Sequence, residues 1–400
     1  MADRLAIDGG TPVRATPLPY GRQQIDEADI EAVTDVLRSD FLTTGPEIGR
    51  FEEAFADATG AEHAVAVSSG TAALHAALAT LDLEPGDEVV VPTLTFAASA
   101  AAVVMNGARP VFADVDPRTL LLTAETVSPA LTARTRAVVA VDYAGQPCDY
   151  DALHGAAGLE LAVIADACHA LGAARRGQPV GTLADLSAFS LHPVKHVTSG
   201  EGGVITTDDP EAAERMRRFR NHGISADHRQ RAREGSWYYE VGSLGYNYRL
   251  TDFQAALARS QLRRLPEWVE RRRVLAGRYR AALRGTAGFE PLECDPDVEH
   301  AYHLFVVQVD DAVIEGGRDR AFAALRAEGI GVNVHYLPVH LHPYYRRVFG
   351  TGEGLAPAAE RAYERILTLP LFPAMSEGDL EDVITAIRKV AGGLAAGGNR

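Results

Sequence analysis

Lysine is almost absent from this chain. Of 39 Lys plus Arg positions in 400 residues, only Lys195 and Lys389 are lysine. A sequence biased so far toward arginine drifts to arginine wherever only positive charge is wanted, so a retained lysine points to chemistry a guanidinium cannot do. Arginine stays protonated and is a poor nucleophile, whereas a desolvated amine can lose its proton and condense with a carbonyl. Lys389, in AIRKVAGG near the end of a predicted C-terminal helix, has ordinary surface context. On residue type alone, Lys195 reads equally as a solvated side chain on a turn.

Cysteine is scarce as well. Cys148, Cys168 and Cys294 lie far apart with no CxxC spacing, which excludes a disulfide scaffold or a zinc ribbon and suits a reducing cytosol. Long apolar runs are missing: AASAAAVVM is far too short to span a bilayer. The N-terminus MADRLAIDGGTP lacks the basic and apolar regions of a signal peptide, so a soluble cytoplasmic protein without a membrane partner is expected. The net charge of -15 and pI near 5.3 leave no basic stripe for a polyanion. The arginine clusters RMRRFRNH and VERRRVLAGRYR are flanked by acidic residues and are expected on solvated faces, which excludes nucleic acid as a partner.

What is present is a globular composition, 46% hydrophobic and 23% charged, with a pattern that changes once. Between about residues 50 and 250, helical segments such as FEEAFADAT and TAALHAALATL alternate with the apolar runs HAVAVS, DEVVVP, RPVFADV, TRAVVAVDY, AVIADA, SAFSL and GGVITTD. This predicts an α/β fold whose mostly parallel sheet is covered on both faces. After NYRLTDF comes a long Arg-rich helical stretch, Thr251 to about Gly285, interrupted at Pro266. Strand-like YHLFVVQV, helix RDRAFAALRAEG, strand-like IGVNVHYL and two further helices follow, ending in a tail AGGLAAGGNR that reads as frayed. The division expected is residues 1–255 as a large domain with an N-terminal arm, and 256–400 as a linking helix with a smaller α+β domain.

Ligands of such sheets gather at the carboxyl ends of the strands. After HAVAVS, Ser69, Gly70 and Thr71 open a helix, an arrangement that is either an ordinary cap or an anion site. After DEVVVP comes Phe96, a ring that either packs or stacks on a planar ligand. AVIADA ends at Asp166, with His169 three residues on; a carboxylate there needs a donor or cationic partner, or caps a helix. SAFSL ends at Ser190, five residues before Lys195. An anion nest, an aromatic ring, a carboxylate, a second hydroxyl and a lone amine on one sheet edge fit pyridoxal 5'-phosphate, which needs each of them. The loop VHYLPVHLHPYY could suggest a metal through His335, His340 and His342, but no carboxylate or cysteine accompanies them, and no metal is expected.

The ordered set SSGTAAL, TFAAS, DACHALGA, FSLHPVKHVTSGEGG, GYNYRLTDFQAALARSQL and GIGVNVHYLP resembles the DegT/DnrJ-type nucleotide-sugar aminotransferases, over about residues 7 to 390. The resemblance implies the pyridoxal phosphate fold of type I, like aspartate aminotransferase, with a seven-stranded large-domain sheet. It implies Lys195 as the lysine that condenses with the cofactor aldehyde and Asp166 as partner of the ring nitrogen. It puts His169 beside the ring hydroxyl, Phe96 at the stacking position, and Gly70, Thr71, Ala72 and Ser190 in the phosphate cup. Asn247 would complete that cup from the neighbouring subunit of a homodimer. Arg249, His335 and Tyr336 become candidates for contacts with the donor or the sugar nucleotide. The related dehydratases carry His at the lysine position, so Lys195 implies a transaminase. L-glutamate is the implied donor, and the implied acceptor is C4 of a nucleotide-linked 4-keto-6-deoxysugar. The finer likeness is to the UDP-4-keto-6-deoxy-N-acetylhexosamine branch of the pseudaminic acid type. A 3-aminotransferase of a dTDP-linked 3-ketosugar and a non-catalytic regulatory member of the fold are the alternatives.

Overall fold

A computed structural model describes residues 4–158, 161–224 and 235–396. The seven apolar runs form one sheet: β1 (His63–Val67), β2 (Glu88–Pro92), β3 (Arg109–Ala113), β4 (Thr135–Val141), β5 (Ala162–Asp166), β6 (Leu186–Ser190) and β7 (Gly203–Thr207). Their order is β1-β7-β6-β5-β4-β2-β3. β7 pairs antiparallel with both neighbours, while the other pairings are parallel.

The strands are apolar on both faces because both faces are covered, and the two-residue period sorts them into two cores. Ala64, Ala66, Val90, Val138, Ala140, Val163 and Val204 face Phe51 and Phe55 of the helix Pro46–Thr59 and Ala255, Ala258 and Leu262 of the helix Asp252–Leu262. Val65, Val67, Val89, Val91, Val139, Ile164 and Ile205 face the helices Gly70–Ala79, Ala97–Met105 and Pro210–Phe219.

The long Arg-rich stretch is two helices, Asp252–Leu262 and Leu265–Leu283, with Pro266 in the first turn of the second, where its missing N–H costs nothing. The second helix packs on a three-stranded antiparallel sheet, β8 (Phe289–Pro291), β9 (Phe305–Val309) and β10 (Ile366–Leu369), with β9 central. Helices Gly317–Ala327 and Glu377–Gly393 complete this core, and Leu5 and Leu18 of the N-terminal segment join it.

Four expectations are corrected. IGVNVHYL is not a ladder strand: it makes single bridges, Ile330 to Leu18 and Asn333 to Thr368. Its alternation serves two cores, since Ile330 and Val332 sit in the core around the three-stranded sheet while Val334 and Tyr336 pack on that of the seven-stranded sheet. Arg272, from the cluster expected on a solvated face, is 2% exposed and donates through Nη1 to the carbonyls of Tyr302, His303 and Leu371. Lys389 is not an ordinary surface residue: it pairs with buried Glu328 at 2.8 Å and donates to Thr11 O at 2.7 Å. The tail expected to fray is held through residue 396, where the Ala396 N–H donates to Val313 O at 2.8 Å; residues 397–400 lie outside the described ones.

At Gly203 a β-carbon would stand 2.3 Å from Ser69 O, so only glycine lets β7 lie against the turn after β1. Gly203→Ala is expected to cost about 1–3 kcal/mol by overpacking. Gly277, exposed within the helix Leu265–Leu283 and with nothing near its missing β-carbon, is the control: Gly277→Ala raises stability by up to about 1 kcal/mol. Chemical denaturation of both variants checks the opposite signs.

Candidate active site

The parallel strands deliver their last residues to one edge. After β1, Ser69 Oγ accepts the Ala72 N–H at 3.1 Å and starts the helix Gly70–Ala79. Gly70 lies against the end of β6, where its β-carbon would meet Ser190 Cβ at 2.9 Å and Cys168 Sγ at 3.3 Å. Gly70, Ser190 and Cys168 therefore lie against one another, with Thr71 and Ala72 in the adjoining helical turn. Asp166 ends β5 and is 5% exposed. The Ser99 hydroxyl donates to its Oδ2 at 2.7 Å, the Cys168 N–H approaches Oδ1 at 3.3 Å, and Thr95 Oγ1 lies 2.7 Å from Ser99 Oγ. A carboxylate whose donors are neutral keeps its charge for a further cationic partner. Phe96 caps the helix Ala97–Met105 and is 59% exposed, its ring 5.8 Å from that of Tyr336.

Lys195 is half-buried in a box of imidazoles. His303 Nε2 lies 3.4 Å from its Nζ, the His303 ring is 4.4 Å from that of His169, and His196 stands 5.6 Å from His303 on the other side. His169 Nε2 meets Tyr336 OH at 3.2 Å, and His335 Nδ1 meets Thr368 Oγ1 at 2.8 Å. The buried Tyr143 hydroxyl donates to His335 O. Burial pushes the Lys195 amine below its ordinary value, with Cys168 and Asp166 pulling it back. Burial likewise drives His169, His196 and His303 well below the usual imidazole range, assisted in each case by a neighbouring cation. The walls are therefore polar but uncharged, an environment in which an amine can be nucleophilic at neutral pH.

The structure thus brings together Lys195, Asp166, His169, Ser190, Gly70, Tyr336 and His335. Asn247 is exposed and Arg249 donates to Asn221 Oδ1 at 2.9 Å; among the described residues neither bonds to Lys195, Asp166 or Ser190. The residue between them passes close to the cup, since Tyr248 O accepts the Ser68 N–H at 2.8 Å. His340 is occupied elsewhere, between Thr93 and Glu360. Sequence reasoning missed Ser99 and His303. Ser99 could have been found as the hydroxyl three residues after Phe96 at the same helix start; His303 carried no local signal, because it lies 108 positions from Lys195 in sequence.

The DegT/DnrJ/EryC1/StrS aminotransferase family matches residues 23–388. The chain belongs to that family. It is similar to the UDP-4-amino-4-deoxy-L-arabinose–oxoglutarate aminotransferase of Shewanella sediminis, 39% identical over 383 residues, covering 94% of this chain and 98% of that protein. Among solved structures it resembles the putative sugar aminotransferase Spr1654 of Streptococcus pneumoniae in its PMP form, with a TM-score of 0.89 and 32% identity, covering 94% of this chain and all of that one. It also resembles Helicobacter pylori PseC, an aminotransferase involved in pseudaminic acid biosynthesis, with a TM-score of 0.86 and 28% identity over 94% and 99% of the two chains. The protein is a pyridoxal phosphate-dependent sugar aminotransferase. The chain's own residues fit the cofactor: a cup floored by a glycine that no β-carbon could replace, a carboxylate bonded only to neutral donors, and a desolvated lysine. In addition, Nδ1 of His169 is buried without a hydrogen-bond partner.

The histidine box sets a pH dependence. His335 is held down to about 4 and His300 to about 3 by burial, and His169, His196 and His303 lie well below 6.5. Unfolding frees these imidazoles to take up protons, so stability is lost as pH falls below about 6.5, by about 1.4 kcal/mol per pH unit for each one still neutral in the fold. Asp142, raised to about 7 by burial, acts oppositely: the fold holds its proton, and that contribution is lost as pH rises toward 7. The histidines outnumber it, so the urea midpoint is expected to drop between pH 6.5 and 5.5; an unchanged midpoint contradicts neutral burial of the box.

Proposed function

We propose that the enzyme moves an amino group from L-glutamate to C4 of a UDP-linked 4-keto-6-deoxy-N-acetylhexosamine, releasing 2-oxoglutarate and the 4-amino sugar nucleotide. The observation that carries this reading is the half-buried Lys195 amine set among neutral imidazoles at the same strand edge as Asp166. The activity of the Shewanella relative supports a UDP sugar and an oxoglutarate-linked donor, and PseC supports the pseudaminic acid branch. The alternative within enzymes is C3 amination of a dTDP-linked 3-ketosugar.

In this reading Lys195 holds the cofactor, Asp166 faces its ring nitrogen, Phe96 lies on its ring and His169 is beside its hydroxyl. Gly70, Thr71, Ala72 and Ser190 bind its phosphate, with Asn247 supplied by the second subunit of a homodimer. Exposed Leu42, Trp237 and Leu244 support a second copy covering that face. When bound, pyridoxal phosphate supplies the electron sink that makes the donor's Cα–H and the sugar's C4 exchangeable. Lys195 takes the proton from the donor Cα in the first half-reaction and delivers one to the sugar C4 in the second. Ser99 fixes the Asp166 carboxylate, His335 and Tyr336 border the sugar, and Arg249 takes the donor carboxylate or a nucleotide phosphate. Such an enzyme works in the cytoplasm, where its sugar nucleotide is made.

Lys195→Ala is expected to lower turnover by roughly 10²–10⁴ through loss of the proton shuttle alone, and Asp166→Asn to retain cofactor but lose most of the rate. The decisive measurement is visible absorbance before and after L-glutamate, followed by a panel of 3-keto and 4-keto nucleotide sugars. Conversion to the PMP form and turnover of the UDP 4-ketosugar support the reading. Near-normal turnover by Lys195→Ala overturns the role of Lys195, and preference for a dTDP 3-ketosugar overturns the substrate.

A further inference from the structure

His303 is the residue at this site that neither the strand-end pattern nor the proposed roles account for. It is 6% exposed, its Nε2 lies 3.4 Å from Lys195 Nζ, and its Nδ1 is buried without a partner. The segment that carries it is tied down at every residue. Arg175 and Ala174 pair with Val298 and Glu299, and the N–H groups of Ala301 and Leu304 donate to Gly145 O and Ala144 O at 2.9 and 3.1 Å. His196 Nε2 bonds Ala301 O at 3.1 Å, and buried Arg272 gathers the carbonyls of Tyr302 and His303. Gly145, with φ +107, is where a β-carbon would strike Tyr302 N at 2.9 Å and His303 N at 3.0 Å. Tyr302 and Ala144 both occupy the left-handed region, with φ of 48 and 59. Strained backbone on both sides of one contact persists only where the surroundings over-determine it, and such places cluster at functional sites. A histidine that merely filled space between domains would not require this much fixing.

We propose that His303 is a positioning residue for Lys195, its Nε2 accepting a hydrogen bond from the amine and fixing where that nitrogen rests whenever it is not bonded to the cofactor. The inference rests on the reading of Lys195 given above. An amine that donates one N–H to Nε2 keeps its lone pair free and aimed elsewhere, ready for the proton it takes up. Acceptance at Nε2 puts the imidazole proton on Nδ1, which is buried without a hydrogen-bond partner. The groups facing the pair are Asp166 and Cys168 from the end of β5, His169, the adjacent His196, His335 and Tyr336 from the small domain, and Arg272 behind His303. Asp166 is the one carboxylate among them, the Cys168 thiol being pushed well up by burial, and among the described residues the only hydrogen-bond partner of Lys195 Nζ is His303 Nε2. Because His303 lies on the segment held against Ala144 and Gly145, the contact also registers that segment against Lys195.

The scarcity of lysine makes the test direct. In protein grown with [ε-¹³C]lysine, only Lys195 and Lys389 give signals, and Lys389→Arg assigns them. His303→Gln keeps an acceptor near the position of Nε2, whereas His303→Leu keeps volume without one. In cofactor-free protein, His303→Leu is expected to raise the ratio of amine to ammonium at Lys195 about tenfold at fixed pH, because a hydrogen bond to the charged form is lost. The wild type and His303→Gln titrate alike. In the loaded enzyme, the glutamate half-reaction slows about tenfold in the Leu variant and is restored in the Gln variant. If His303→Leu does not fold, His303→Asn, too short to reach Nζ, takes its place. Identical Lys195 titration in wild type, Leu and Gln variants overturns the proposal. Borohydride reduction of the loaded wild type, followed by peptide mapping, separates the two readings: label absent from Lys195 defeats the assignment of that lysine whatever His303 does.

Discussion

The Lys195 amine sits beyond the carboxyl ends of the central strands, facing the segments that carry His303 and His335, and burial there favours its uncharged form. Much of the surrounding structure can be understood as the means of removing water from it. A cleft lined by one domain would leave the amine hydrated and protonated. Here the strand ends supply the neighbours Asp166 and Cys168, while His303, His335 and Tyr336, from later in the chain, close the other side. Imidazoles suit the purpose because a buried neutral ring offers donors and acceptors without adding charge.

The topology explains why the remaining groups converge. Parallel strands end together, so the turn after β1, the helix start after β2 and the last residues of β5 and β6 occupy one edge. The single antiparallel strand, β7, runs back through the sheet, and Gly203 lets it lie against the turn at Ser69 and Gly70. Glycine stands at both contacts for a steric reason: Gly203 meets the Ser69 backbone and Gly70 the Ser190 and Cys168 side chains, so a β-carbon at either would force the segments apart.

Much of this was legible in the chain. The seven apolar runs became the seven strands because a sheet covered on both faces demands residues that are apolar on both sides, and few other structures use such short runs. Lys195 stood out because arginine had replaced lysine almost everywhere else. The failures share a cause. Arg272 and Lys389 looked solvated because charge is normally exposed, yet Arg272 satisfies three buried carbonyls and Lys389 a buried Glu328. Segment 330–337 alternated like a strand, but its alternate residues enter two different cores.

The sequence by itself determined the sheet, the family likeness and the groups that follow each strand, because these depend on neighbours along the chain. Only the tertiary structure decided which side of Lys195 is closed, what holds Asp166, and that a histidine 108 positions away in sequence faces the amine. Those facts depend on contacts between segments far apart in the chain. Periodicity reports which face of an element is buried, but not what lies against it.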